Sequence, residues 1–211
     1  MSTVESSAAV APPIGQQFNL AVSNDSTAEI NVMLFASMGG GQPVTTLVWR
    51  SLRLVPQQAI SFGWTYTLNF VLGAQGQLGP GENYDPVQIL DAVPGVSNQI
   101  TLALVDGHLQ LVDARPGPPG TLLIRQDDDL PPFSGNVGVG IDGLGTFITN
   151  VQPSTQQGFG YAPQLWIGTG TFEQGQMMST MGINTKAALT FPAGVDHAQA
   201  AFDGSSWSIE Y

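Results

Sequence analysis

Glycine or proline interrupts this chain about once in every five residues: 26 Gly and 15 Pro stand among 211. Both weaken helix interiors, glycine through backbone entropy and proline through its missing N–H and its ring. Long helices are therefore not expected, and the lack of a G-X-Y period sets a collagen aside. Between the interruptions, apolar and polar residues alternate. Ile30, Val32 and Leu34 share one face of 29–35, and the run from Trp64 to Val71 is aromatic and β-branched. A period of two built from such residues predicts strands.

Charge narrows the partners. Five Lys+Arg face 16 Asp+Glu, a formal net charge of −11. The cations, Arg50, Arg53, Arg115, Arg125 and Lys186, are too few to neutralise a run of phosphates or to hold an anionic membrane. Neither nucleic acid nor a lipid surface is expected as a partner. The chain has no cysteine, which removes disulfides, thiolate metal sites and cysteine nucleophiles together. Residues 1–17 lack the basic start and apolar core of a secretory signal. No apolar run approaches the ~20 residues that span a bilayer. A cytoplasmic location is expected, with leaderless export as the alternative. Asn24-Asp25-Ser26 fits the glycosylation acceptor pattern, but without export a polar turn is the simpler reading.

Residues 1–16 read as a flexible tail of Ser, Ala, Pro and Gly, and 17–211 as one β domain. Strands are predicted over 18–22 and 29–35 (a hairpin closed at 24–27), then 45–55 after a break at Gly39-Gly40-Gly41, and 60–72. A long irregular connection follows over 73–94. Asp106-Gly107, Asp142-Gly143 and Asp203-Gly204 each sit between strand-like runs and predict two-residue hairpins. Further runs lie at 121–125, 164–172, 176–183 and 185–191. The halves repeat an order of elements, with Trp49 matched by Trp166, and a half boundary falls near 115–135. The expectation is an all-β, antiparallel sandwich of about 10–12 strands, with a pseudo-twofold duplication and negligible helix.

Few residues point to chemistry. Gly138-Val139-Gly140-Ile141-Asp142-Gly143 matches the dinucleotide fingerprint, but Thr146 to Val151 after it is strand-like, where phosphate binding needs a helix N-terminus. His108 and His197 have no ligand-spaced partner, and no G-x-S-x-G elbow is present. No acid pair is singled out for glycoside hydrolysis. No catalytic residue, metal or cofactor is therefore expected. Asp127-Asp128-Asp129 offers oxygens for calcium, joined by Glu82 and Asp85 if the fold brings them near, though three consecutive side chains do not converge on one ion. Trp64, Tyr84, Tyr161 and Trp207 are candidates for a sugar-stacking surface. Trp49 and Trp166 read as core.

Three segments carry a family resemblance: Trp64 to Val71 with Gln77-Leu78, Val137 to Thr146, and Leu165 to Thr171. They resemble the RhiA family, rhizosphere-expressed proteins of root-associated bacteria with similar proteins in fungi. The resemblance runs from about Phe18 to Tyr211 and does not include 1–16 or Asp127–Asp129. It implies a soluble, non-secretory protein under quorum-controlled expression, engaged in host or neighbour interaction. It implies no established enzyme activity, so no catalytic residue is carried over. The expected function is non-enzymatic, acting by protein interaction or self-assembly as a homo-oligomer. The alternative is a carbohydrate-binding, lectin-like module with calcium as a candidate ligand.

Overall fold

The structure is a computed structural model that describes residues 11–38 and 44–211. The triple-glycine break and most of the expected tail lie outside the described residues. Seventeen strands run in chain order: β1 (Gln17–Asn24), β2 (Ile30–Ser37), β3 (Thr45–Thr46), β4 (Val48–Leu54), β5 (Ala59–Thr65) and β6 (Leu68–Gly73). Then come β7 (Pro86–Asp91), β8 (Gln99–Val105), β9 (His108–Arg115), β10 (Thr121–Gln126), β11 (Asn136–Ile141) and β12 (Leu144–Asn150). The last are β13 (Gln156–Gly160), β14 (Gln164–Gly170), β15 (Ile183–Leu189), β16 (His197–Phe202) and β17 (Trp207–Glu210). The helical content of the described residues is one 3-10 turn, Thr180–Gly182. The protein is all-β, as its Gly, Pro and alternation require. Strands outnumber the expected 10–12 because long apolar runs are split and some strands are very short.

The strands form four sheets, in the orders β17-β16-β1-β5, β15-β14-β2-β4, β3-β12-β11-β6-β7 and β13-β10-β8-β9. The first two sheets take strands from both ends of the sequence, and the last two take its middle. In chain order the first two sheets are an outer pair and the last two an inner pair; apart from β3, the chain enters the inner pair at Tyr66-Thr67 and leaves it at Tyr161 to Pro163. Residues 116–120 connect β9 to β10, which flank β8 in one sheet. One continuous core joins all four sheets. It runs from Leu20, Leu34 and Trp49 through Phe70 and Val137 to Ile100 and Phe159.

Several expectations need correction. Residues 18–35 are not a hairpin, because β1 and β2 lie in different sheets. Asn24 causes the change of direction. Its buried amide donates to Ala28 O at 2.8 Å and Leu54 O at 3.0 Å, while its Oδ1 accepts from the Ser26 N–H and hydroxyl. The polar turn is real, but it carries the chain across the core rather than back alongside. The run 60–72 is two strands in two sheets, broken where Thr67 N donates to Thr65 O. The connection 73–94 contains β7, and β13 was not expected because Phe159 is its sole large apolar residue. Residues 176–182 make only isolated bridges and the 3-10 turn. Two pairings are parallel, β1 with β16 and β10 with β8.

The hairpins at Asp106-Gly107 and Asp142-Gly143 form as expected. Both residues of each turn have positive φ, 51° and 79° in one, 55° and 73° in the other, which is the type I′ geometry that suits twisted strands. Asp203-Gly204 belongs instead to a four-residue turn, where the Asp203 carboxylate accepts the N–H groups of Ser205 and Ser206. The fingerprint glycines lie in β11 and its turn. A Cβ at Gly138 would stand 1.9 Å from Phe147 O, so the glycine permits close approach of β12 and has no role toward phosphate.

Candidate functional site

The structure scatters the residues singled out from sequence. Asp127, Asp128 and Asp129 are exposed on the connection after β10. Glu82 and Asp85 are engaged elsewhere, Glu82 accepting from Gly79 N and Asp85 N donating to Gln75. Among the described residues, no three His, Asp or Glu side chains stand close enough to hold a metal ion.

The four candidate aromatics form no common surface. Tyr84 is buried against Leu47, Val71 and Ile148 on the outer face of the third sheet, and burial holds its hydroxyl far above the usual pKa. Trp207 is half-buried against Phe202. Tyr161 is half-buried at the second crossover, where desolvation raises its pKa. Trp64 is only 5% exposed, so its ring presents no open face to a sugar. Trp49 is core at 1% exposed, whereas Trp166 is half-buried on the outer face of the second sheet, under Lys186 Nζ at 4.4 Å. Sequence matching of Trp49 with Trp166 could not fix which sheet face each ring takes. His108 and His197 are exposed and lie on different sheets.

What does come together is an aromatic seam between the two sheet pairs. Phe18 on β1 and Trp64 on β5 are cross-strand partners, and their rings stack at 5.4 Å. Trp49 meets Trp64 edge-on at 5.4 Å and donates its Nε1–H to Ile141 O at 3.0 Å, tying β4 to β11. Phe191 closes over Phe18 at 4.8 Å and is backed by Tyr211, whose hydroxyl accepts from Thr190 N. The two crossovers are joined directly, because the Tyr66 hydroxyl donates to Tyr161 O. Burial pushes the Tyr66 hydroxyl up to about 12, so it stays protonated as a donor. Phe18, Trp64, Tyr66 and Phe191 line a partly open cavity of ≈ 80 Å³.

A polar side flanks the same seam. The Asp142 carboxylate accepts from Arg50 at 2.5 Å and from Thr65 N at 3.4 Å, and Asp142 N donates to Thr67 O. The β11–β12 turn is thus bolted onto the ends of β4 and β5. Asp142, Gln17, Asn19, Asp196 and His197 line an open cleft there. Sequence reading missed Phe191, which looks like an ordinary strand aromatic until the crossovers are placed.

The other unusual surface is β7, the last strand of the third sheet. Val71 on β6 pairs with Ile89 and lies under Tyr84, but the covering segment stops there. Val87 and Ile89 are left 64% and 44% exposed, followed by Val93 and Val96 at 42% and 63%. Gln88 and Leu90 turn the other way. Gln88 accepts from Leu111 N at 2.7 Å and donates to Leu111 O at 3.1 Å, so it occupies the main chain of β9. A strand whose apolar side chains face water is the inverse of the usual pattern. No periodicity rule distinguishes it from a strand facing inward.

A family model described as RhiA matches residues 15–211. Protein RhiA of Rhizobium leguminosarum bv. viciae is 28% identical over 202 residues, covering 92% of this chain and 87% of that protein. No solved structure matches the chain.

Proposed function

The chain belongs to the RhiA family, and we propose that it acts through its surface rather than by catalysis, as a self-associating protein whose contact is β7. The observation that carries this reading is the uncovered row Val87 and Ile89 on a terminal strand. An edge strand offers unpaired backbone groups to another chain, and proteins usually protect such edges with lysine, bulges or a covering loop. Here β7 has no lysine, its one proline stands at its first position, and its one charge, Asp91, at its last. Two copies meeting antiparallel across a twofold axis would set Val87 of one beside Ile89 of the other and extend the sheet. Full burial of each such side chain is worth about 1.5–3 kcal/mol.

The test is light scattering after size exclusion at tens of micromolar, on the wild type and on Val87→Lys with Ile89→Lys. The expected result is a dimer that the double substitution converts to monomer, with an unchanged far-UV spectrum. A wild type that is monomeric at that concentration, or a dimer that survives both lysines, overturns the reading.

A further inference from the structure

We propose that the cavity at the aromatic seam is a binding site for a small uncharged molecule with an apolar body and one hydrogen-bond acceptor. The site lies where both crossovers pass between the sheet pairs, and cavities between packed units are a favoured place for small ligands. Its wall is apolar and aromatic, with Phe18, Leu165, Leu189 and Phe191 prominent, and none of the residues lining it is charged. A charged ligand would lose its hydration there without gaining a counter-ion.

Two donors of the wall are already engaged. The Tyr66 hydroxyl donates to Tyr161 O, and Gln164 Nε2 donates to Leu165 O at 2.8 Å and Leu189 O at 3.0 Å. One donor is left over. The Trp64 ring forms part of the wall, and its Nε1–H is buried without a hydrogen-bond partner in the described chain. A buried indole N–H normally finds an acceptor, and leaving one unmade is costly. An acceptor brought by a ligand removes that cost, which a pure hydrocarbon does not. Phe191 stands beyond the end of β15, outside any strand, and is the wall best able to yield as the ligand seats. At ≈ 80 Å³ the cavity is about half the ~150 Å³ apolar cavity that takes benzene, so a six-membered ring enters as Phe191 yields, and an extended lipid is far too large.

The four tryptophans supply the readout, as four indole N–H signals in ¹⁵N-labelled protein. The signals are followed during titration with cyclohexanone and with toluene, which is similar in size but lacks a carbonyl. The expected result is a saturable shift of the Trp64 signal with both probes, cyclohexanone binding about three- to tenfold more tightly, the worth of one hydrogen bond. Ala162→Leu, which fills the cavity from the half-exposed connection before β14, should weaken both probes at least tenfold while the circular dichroism is unchanged. Trp64→Phe should bring the two probes to equal affinity. The proposal is overturned by a Trp64 signal that does not move up to probe solubility, by equal drift of all four signals, or by wild-type affinities that do not differ. Undiminished binding to Ala162→Leu overturns it as well, and that arm stands even if Trp64→Phe folds poorly.

Discussion

At the scale of single residues, Tyr66 links a pKa to stability. Burial raises its hydroxyl from about 10 to about 12. The folded state therefore holds the proton more tightly than the unfolded chain does. The resulting stability is fully present below pH 10 and is lost as pH rises from 10 towards 12. At pH 11 the loss is about 1 kcal/mol. Urea unfolding at pH 8 and pH 11 should show the wild type losing that much more than Tyr66→Phe, since Tyr84 titrates in both. Equal losses would mean that Tyr66 is not the buried donor described. Such roles were only half legible in the sequence. Trp49 could be read as core because strand tryptophans usually are. Trp166 reads the same way in sequence yet is half-buried on the outer face, because its face depends on which side of β14 meets the core, and that is decided by partners more than a hundred residues away.

Among the elements, turn chemistry was legible wherever it is local. Asp106-Gly107 and Asp142-Gly143 demand positive φ at both positions, and few residue pairs supply it so cheaply. The turn at Asn24 shows where local reading ends. Its residues announce a turn, but whether the chain returns beside β1 or crosses the core rests on the Asn24 amide reaching Leu54 O. Asn24→Ala removes that bond and the one to Ala28 O, leaving the Leu54 carbonyl oxygen without its buried amide donor. The expected cost is about 1–3 kcal/mol in denaturant unfolding, a large share of a typical 5–15 kcal/mol. A loss under about 0.5 kcal/mol, the range of ordinary surface changes, would show that the arch does not depend on this side chain. Strands β7 and β13 stayed hidden for a different reason. One carries its apolar residues on the wet side, and the other has almost none to reveal a period.

Over the whole molecule, the nested order of sheets could not be read from sequence, because alternation identifies strands without naming their neighbours. One continuous core across both sheet pairs has a measurable consequence. Tryptophan fluorescence reports chiefly on the outer pair, where Trp49, Trp64, Trp166 and Trp207 all lie, while far-UV circular dichroism reports on every strand. The two denaturation curves should coincide, as they do for one cooperative unit. Separate midpoints would show that the inner pair folds by itself. The parallel pairing of β1 with β16 also sets a timetable for synthesis. Asn19 pairs with His197. A ribosome adding roughly 5–20 residues per second needs on the order of ten to forty seconds to make the stretch between them. Throughout that interval Phe18, Leu20 and Val22 have no neighbour on the β16 side, and by its end the whole inner pair has been translated. In a growing cell, the vulnerable period of this protein is therefore its own translation, and the N-terminal strand is the segment that a nascent-chain chaperone would have to shield.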